Sequence, residues 1–331
     1  MPARSVEARA PCRVDLGGGT LDIWPIGLLH PGACTVNVAI DLMVEVTLTR
    51  RDRGYSVEQS GDAVEVSSLE ELMTDPATAL AGLVADHFGL PPTDFRLRSD
   101  SPRGAGLGAS SALAVALIAA VGKSTGEPRL EPSAVAHLAR DLEARLMALP
   151  TGTQDYYPSL LGGALEIRHL PGGETAVALS IDLDLLGRHL TLAFTGQSHV
   201  SGETNWGIVR RRLDGDQQSL ELFAAIAETA GEMVQALKRG DLERVGGLMS
   251  REWSSRRQLS DGASTDRIES LLEVSRLAGA WGGKACGAGG GGCVAVLAPE
   301  EARESLRDEL AAAGAEVLET SPTATCLEVI G

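Results

Sequence analysis

The chain has 331 residues and carries 45 acidic residues against 29 Lys and Arg, a formal net charge of −16 at pH 7. This charge disfavours nucleic acid or an anionic membrane as a partner, so an anionic ligand needs a local positive site. Hydrophobic residues make up 44% and aromatic residues only 3% of the chain, which predicts a core of Val, Leu, Ile and Ala. The length predicts two domains or one large α/β body.

Cysteine usage and the N-terminus indicate a cellular compartment. The 5 cysteines are scattered, with no CxxC pair and no zinc-type spacing to histidine, so we expect reduced and mostly buried thiols. Residues 1–11 lack the apolar core of a signal peptide. The longest apolar run, 112–121, is half of what a bilayer span requires. We therefore expect a soluble, cytoplasmic protein.

The N-terminal part of the chain is rich in strand signals. From 35 to 50, apolar residues occupy every second position, which predicts a long and bent strand with one buried face. Residues 55–59 and 63–66 predict a hairpin. A helix follows over 68–88, with a break at Asp75-Pro76, and then an alternating strand over 95–98.

The pattern changes from strands to helices near residue 190. Before it we predict an Ala-rich helix, a helix over 131–147, and strands over 164–168, 175–179 and 190–194. After it we predict helices over 219–238, 241–258, 266–278 and 299–313, and strands over 294–297, 315–319 and 325–330. The predicted domains are 1–190 and 191–331, with an α+β second half.

One stretch, residues 101–121, combines a strand exit, a glycine-rich loop and a helix that opens on two serines. This arrangement turns backbone N–H groups and a helix N-terminus toward an anion, which predicts a phosphate-binding loop. A flexible connector before a buried Ala-rich helix would have the same composition. The stretch alone leaves both interpretations open.

Two better-known phosphate motifs fit this stretch poorly. A Walker loop ending at Lys123 would need a glycine where Leu117 stands, so this lysine is better explained as a charge at a helix C-terminus. A relaxed dinucleotide fingerprint runs from Gly104 to Ala109. The acidic residue it requires about 20 positions later falls at Glu127, inside a turn, which disfavours NAD.

A carboxylate pair follows the loop in the chain. Glu143 lies near a predicted helix end and Asp155 comes 12 positions later. Phosphoryl transfer needs oxygen ligands for a metal and a carboxylate facing the acceptor hydroxyl. Ser110, Ser111, Glu143 and Asp155 could supply both. Each also has an ordinary structural role available, as a helix cap, a solvated helix charge or a turn residue.

Four ordered motifs carry a family resemblance: residues 10–20 (APCRVDLGGGT), the 102–112 loop, 152–155 (GTQD), and the glycine run 282–292. Together they resemble the GHMP small-molecule kinases, and within them the D-glycero-D-manno-heptose 7-phosphate kinase branch, related to fucose and galactose kinases. The resemblance implies an α+β fold with a ribosomal-protein-like N-terminal domain and a ferredoxin-like C-terminal domain. It also implies an ATP- and Mg²⁺-dependent kinase acting on a hydroxyl, anomeric by analogy, of a small sugar or sugar phosphate.

The resemblance also implies roles for particular residues. The catalytic residues would be Asp155 and Arg13, and Mg²⁺ would be held by Ser110, Ser111 and Glu143. ATP would be bound by Gly104, Gly106, Leu107, Gly108, Ala109, Ser110, Ser111, Gly289 and Gly290. The sugar would be bound by Gly18, Gly19, Thr20, Asp22, Tyr156, His199 and Gly290.

The chain departs from the heptose branch at two motifs. Relatives commonly read Gly-Gly-Gly-Thr-Asp, whereas here Asp22 is displaced by one residue; and Thr153 replaces a lysine beside the acceptor. The second change removes a cation that would suit a phosphorylated substrate. Two other functions on the same fold stay open: an isoprenoid-type kinase or decarboxylase, and a nucleotide sensor without catalysis.

Overall fold

The computed structural model describes residues 5–198 and 202–331. Its strands are β1 (Ser5–Gly17), β2 (Cys34–Arg50), β3 (Tyr55–Gln59), β4 (Asp62–Val66), β5 (Thr93–Ser99), β6 (Ala164–Leu170), β7 (Gly173–Leu179), β8 (Leu190–Phe194), β9 (Gly282–Ala285), β10 (Cys293–Leu297), β11 (Glu316–Val317) and β12 (Glu328–Ile330). Its α-helices are α1 (Leu69–Thr74), α2 (Ala79–Phe88), α3 (Ala109–Thr125), α4 (Pro132–Met147), α5 (Tyr156–Leu161), α6 (Leu183–His189), α7 (Gly202–Leu213), α8 (Gln217–Lys238), α9 (Leu242–Arg256), α10 (Asp266–Leu277) and α11 (Arg303–Ala312).

The larger sheet is built around β1 and β2. Its strand order is β12-β1-β2-β5-β3-β4, and β6 extends it by pairing with β2 and β7. Neighbouring strands are antiparallel except β3 and β5, which are parallel. The pairing of β1 with β2 shifts register between Pro11 and Cys12, which is the bend expected in so long a strand. The apolar side of the sheet packs against α3, whose small residues allow close approach.

The second sheet contains the C-terminal strands in the order β11-β8-β10-β9, all antiparallel. Helices α10 and α11 cover it through Ile268, Leu271, Leu306 and Leu310. Helices α8 and α9 contribute to the same core as β1, β2 and α3, so the two halves share buried apolar surface. Strand β12 returns to pair with β1. We propose the domain division at 190/191, where β8 begins.

Most predicted elements are present, with boundaries shifted by a few residues. The helix break at Asp75-Pro76 separates α1 from α2, and Pro132 occupies the first turn of α4. The helices α5 to α7 and the strand β9 were missed, because they are short or carry no strong periodicity. The Arg210-Arg211-Arg212 run lies in the last turn of α7. Among the described residues, no helix is long and apolar enough to cross a membrane.

Candidate active site

A cleft of ≈ 720 Å³ lies where the two halves of the chain meet. Its walls include the 101–111 loop with the start of α3, and the segment containing Thr20, Asp22 and Ile23. The 151–156 segment, which links α4 to α5, forms another wall. The C-terminal half contributes Gly287, Ala288 and side chains of α7 and α9. The structure therefore brings parts of all four sequence motifs to one cavity.

The loop before α3 is shaped by glycines. Gly104, Gly106 and Gly108 have φ of +71°, +72° and +73°, the left-handed region that only glycine adopts without strain. A Cβ on Gly106 would lie 2.7 Å from the carbonyl oxygen of Cys286, so this position also needs the missing side chain. Gly108 caps α3, whose first N–H groups lie at the cleft. This geometry suits a polyphosphate. Seven of the predicted nucleotide residues line the cleft: Gly104, Gly106, Leu107, Gly108, Ala109, Ser110 and Ser111.

The predicted metal ligands meet at the start of α3. The hydroxyls of Ser110 and Ser111 donate to the two carboxylate oxygens of Glu143, at 2.8 and 3.2 Å. Burial raises the pKa of Glu143, and this rise is opposed by hydrogen bonds from the Tyr156 hydroxyl and Ser110. The donor set consists of one carboxylate and two hydroxyls. These hard oxygen ligands, completed by phosphate oxygens and water, suit Mg²⁺.

Arg13 and Asp155 form the central ion pair of the cleft. Nε and Nη2 of Arg13 lie 2.8 and 2.7 Å from Oδ1 of Asp155. Nη1 donates to the carbonyl of Gly106 at 2.6 Å, and the backbone N–H of Arg13 donates to the carbonyl of Leu107 at 2.9 Å. The Arg13 side chain is 2% exposed, whereas that of Asp155 is 28% exposed. Arg13 thus ties the phosphate loop to a carboxylate that remains accessible from the cleft.

Asp22 lies beside this pair despite its displacement in the motif. Its Oδ2 accepts the N–H of Gln154 at 3.2 Å, and a Cβ on Gly152 would lie 1.7 Å from the same oxygen. Burial, and to a smaller extent the negative charge of Asp155, raise the pKa of Asp22 to about 6. Asp22 and Asp155 are thus neighbouring carboxylates with different environments, one buried and one partly exposed.

Other predicted acceptor residues have neighbours that suggest structural roles. A Cβ on Gly18 would lie 2.1 Å from the carbonyl oxygen of Cys34, and one on Gly19 would lie 2.2 Å from Nη1 of Arg256. Thr20 lines the cleft with φ of +77°. Tyr156 also lines the cleft, but it is buried and its hydroxyl contacts Glu143. The sugar-binding role of these residues stays a prediction.

The residues of the glycine run 282–292 lie in different structural surroundings. Residues 282–285 form β9, and Gly287 and Ala288 line the cleft. A Cβ on Gly289 would lie 2.1 Å from the carbonyl oxygen of Ala263, and the N–H of Gly290 donates to that oxygen at 2.7 Å. The contacts of Gly289 and Gly290 are thus with the C-terminal half, and their role toward ATP or sugar stays a prediction.

Two further predictions concern single residues. His199 lies outside the described residues, so its predicted sugar contact stays a prediction. Lys123 is exposed in the last turn of α3, at the opposite end of that helix from the phosphate loop. This position fits a helix C-terminal charge and leaves no Walker-type lysine role for it.

Sequence reasoning missed a cluster of buried charges at the wall of the cleft. Asp15 contacts Arg256 and Lys284, and Glu252 lies beside both cations. Although burial opposes ionisation, the cations lower the pKa of Asp15 below its usual range. Two signals were present: Lys284 stands among small and apolar residues, and Glu252 precedes Arg256 by one helical turn.

Family comparisons agree with this geometry. The model described as "GHMP kinases N terminal domain" matches residues 76–163, and "GHMP kinases C terminal" matches residues 233–316. The first match contains the phosphate loop, the paired serines, Glu143 and Asp155. The second contains the buried charges of α9 and β9.

Individual relatives extend the similarity over most of the chain. A D-glycero-alpha-D-manno-heptose 7-phosphate kinase from Campylobacter jejuni is 27% identical over 311 residues, 87% of this chain and 88% of the relative. A mevalonate kinase from Pyrococcus abyssi is 32% identical over 271 residues, 76% of this chain and 72% of the relative. A crystal structure of a D-glycero-D-manno-heptose 1-phosphate kinase from Bacteroides thetaiotaomicron has the same fold, with a TM-score of 0.80, 20% identity, and coverage of 98% of this chain and 99% of that one.

Proposed function

Since the chain belongs to the GHMP kinases, an α+β family that uses ATP as phosphate donor, we propose that it phosphorylates a hydroxyl of a small sugar or sugar phosphate. The observation that carries this proposal is the position of Arg13 between the phosphate loop and Asp155. A single cation there contacts the carbonyl of Gly106 and a carboxylate that faces the cleft. Arg13 thereby links the loop that would bind the phosphate donor to the carboxylate that would face the acceptor hydroxyl.

The proposed chemistry is an in-line displacement. The acceptor oxygen forms a bond to the γ-phosphorus of ATP while the bond from that phosphorus to the β–γ bridging oxygen breaks. Asp155 orients the acceptor hydroxyl and receives its proton. Arg13 fixes the carboxylate of Asp155 by a hydrogen bond from Nε and an ion-pair contact from Nη2, both to Oδ1. Most of the rate enhancement in such a site comes from positioning and charge neutralisation.

Mg²⁺ is part of this proposal. Ser110, Ser111 and Glu143 would hold it, because their oxygens are already within hydrogen-bond distance of one another at the start of α3. When bound, the ion neutralises charge on the phosphate oxygens. The Tyr156 hydroxyl fixes one side of Glu143, so that the carboxylate keeps its orientation.

The sugar acceptor is favoured by the Campylobacter relative, which matches 87% of this chain. Asp22 and Asn205 line the cleft and supply polar groups of the kind that bind sugar hydroxyls. Following the resemblance to the heptose branch, we place transfer at the anomeric hydroxyl. The Pyrococcus relative makes mevalonate the alternative acceptor to test.

The test is an ATP-consumption screen with Mg²⁺ over hexoses, deoxyhexoses, heptoses, their phosphates and mevalonate. We expect turnover with at least one sugar or sugar phosphate. Phosphorus NMR of the product should show coupling of the new phosphate to the anomeric proton. Turnover with mevalonate alone would replace the sugar proposal by the isoprenoid alternative. ATP binding without turnover on any compound would favour the nucleotide sensor.

A further inference from the structure

Four charged side chains are buried together at the wall of the cleft, which Arg256 lines: Asp15, Glu252, Arg256 and Lys284, which we call the buried quartet. Asp15, Glu252 and Lys284 are 0% exposed and Arg256 is 4% exposed. Oδ2 of Asp15 lies 2.6 Å from Nζ of Lys284 and 2.9 Å from Nη1 of Arg256. Glu252 lies 3.4 Å from Lys284 and 3.6 Å from Arg256. Two acids thus balance two bases.

The quartet joins the two halves of the chain at a single carboxylate. Asp15 belongs to β1, whereas Arg256 ends α9 and Lys284 belongs to β9. The remaining oxygen of Asp15, Oδ1, accepts the N–H of Gly287 at 2.8 Å. These three donors all come from the C-terminal half. Asp15 therefore fixes that half onto the strand that also carries Arg13.

Stability alone is a weak explanation for such a cluster. Burying four charges requires removing each from water, and well-packed apolar residues often replace a buried ion pair without loss of stability. The geometry suggests a more specific role, since Arg256 also donates from Nη2 to the carbonyl of Gly287 at 2.6 Å. Gly287 is therefore held through both its N–H, by Asp15, and its carbonyl, by Arg256. A residue held in this way can position whatever packs against it.

Gly287 packs directly on the phosphate loop. A Cβ on Gly287 would lie 2.9 Å from the carbonyl oxygen of Gly106, the oxygen that accepts Nη1 of Arg13. Arg13 and Asp15 are two residues apart on β1, so their side chains leave the strand on the same face. Asp15 therefore holds Gly287, and Gly287 packs on Gly106, whose carbonyl binds Arg13. Arg13 lies on the same strand as Asp15, so these contacts connect the quartet to both sides of the phosphate loop.

We propose that the buried quartet is a positioning device for phosphoryl transfer. The quartet fixes the position of the phosphate loop relative to Arg13. Arg13 in turn fixes the position of the Asp155 carboxylate. Arg256, Lys284 and Glu252 are positioning residues, since they act through Asp15 and Gly287. Their loss should lower kcat while leaving the KM for ATP nearly unchanged, because the backbone donors that bind the triphosphate remain in place. This inference rests on the proposed kinase function.

The main test compares two adjacent arginines. Arg256→Lys keeps the buried charge but cannot bridge Asp15 and the Gly287 carbonyl with one planar group. We expect kcat to fall about tenfold to a hundredfold, the range for a small misplacement of reacting groups. The KM for ATP should stay within about twofold and the melting temperature should change little. The matched control is Arg257→Lys, since Arg257 is 44% exposed and pairs with Glu269 at the surface. Equal kcat values for the two variants would overturn the proposal.

A second pair of variants separates positioning from stability. Lys284→Met leaves the buried acids with one cation, so both the melting temperature and kcat should fall. Adding Glu252→Gln restores the charge balance, and the double variant should recover the melting temperature. Its kcat should remain low, because Asp15 still lacks its shortest side-chain donor. Recovery of kcat together with the melting temperature would show that the quartet only stabilises the fold.

The rates are measured with any compound of the acceptor panel that the wild-type protein phosphorylates, mevalonate included, and with water as acceptor. The comparison of Arg256→Lys with Arg257→Lys therefore does not depend on a sugar being the substrate. Failure of the sugar proposal would appear as a different acceptor for the wild-type protein. Failure of the positioning proposal would appear as an unchanged kcat in Arg256→Lys on that same acceptor.

Discussion

The donor and acceptor ends of the cleft are built in different ways. The donor end is one continuous segment, 101–111, whose backbone N–H groups and positive-φ glycines form a loop before α3. The acceptor end is assembled from Thr20 and Asp22, the 152–156 segment, and side chains of α7 and α9. A contiguous backbone site tolerates many side-chain changes, whereas a site assembled from distant segments depends on the packing that brings them together. We therefore expect mutations at the two ends to differ in their effects on ATP binding and on kcat.

The largest effect should come from a mutation of Asp155, the carboxylate that Arg13 links to the phosphate loop. Asp155→Asn keeps the shape of the side chain but removes the charge that pairs with Arg13 and the base that receives the acceptor proton. We expect kcat to fall by at least about 10³-fold, in the range observed when a general base is lost together with an ion pair. ATP binding, measured by calorimetry, should change by less than about threefold. An active Asp155→Asn enzyme would contradict the catalytic assignment.

At the donor end, Glu143→Gln should have a smaller effect that depends on Mg²⁺. The amide retains a contact with Ser110 but loses the negative charge that a divalent cation prefers. We expect kcat to fall about 10²-fold at low Mg²⁺, a loss comparable to removal of one electrostatic contact in the transition state. Raising Mg²⁺ should recover part of the rate. Glu127→Gln is the matched control, since Glu127 is exposed just beyond the C-terminal end of α3, and it should retain most of the activity.

Sequence patterns predicted the glycine-rich loop and the helix after it because their determinants are local. Glycine spacing, the paired serines and an Ala-rich helix all lie within 101–121, and the structure keeps them adjacent. The long strand β2 was predicted for the same reason, since its alternation is a local signal. The family resemblance added Glu143, Arg13 and Asp155, which lie far apart in the chain but meet in the fold.

The acceptor end was harder to predict, because its contacts are set by packing between distant elements. Nothing local shows that Gly19 is required by the approach of Arg256, or that Gly152 makes room for Asp22. The buried quartet was missed because a charged residue in isolation is better explained as solvated. The small and apolar neighbours of Lys284 are a weak sequence signal that it is buried, and its contact with Asp15 and the pairing of β9 with β10 show it directly.

Asp22 provides the smallest predicted effect, a change in stability that depends on pH. Its pKa in the folded protein is about 6, against a model-compound value of 3.8, because it is buried and lies near Asp155. A raised pKa means that the folded state binds a proton more tightly than the unfolded state. The stabilisation from this proton is therefore complete below about pH 4 and is lost as the pH rises to about 6, by at most about 3 kcal/mol.

Asp22→Asn should abolish this loss, because the amide stays neutral at every pH. The two proteins should have similar free energies of unfolding in urea at pH 4, and the variant should become the more stable one between pH 4 and pH 7. Asp62→Asn, at an exposed position on the far side of the cleft, is the control and should follow the wild-type profile. A difference between Asp22→Asn and wild type that is the same at pH 4 and pH 7 would show that folding does not raise the pKa of Asp22. In that case Asp22 would be ionised at neutral pH, and its negative charge would make a neutral sugar fit the cleft better than a sugar phosphate.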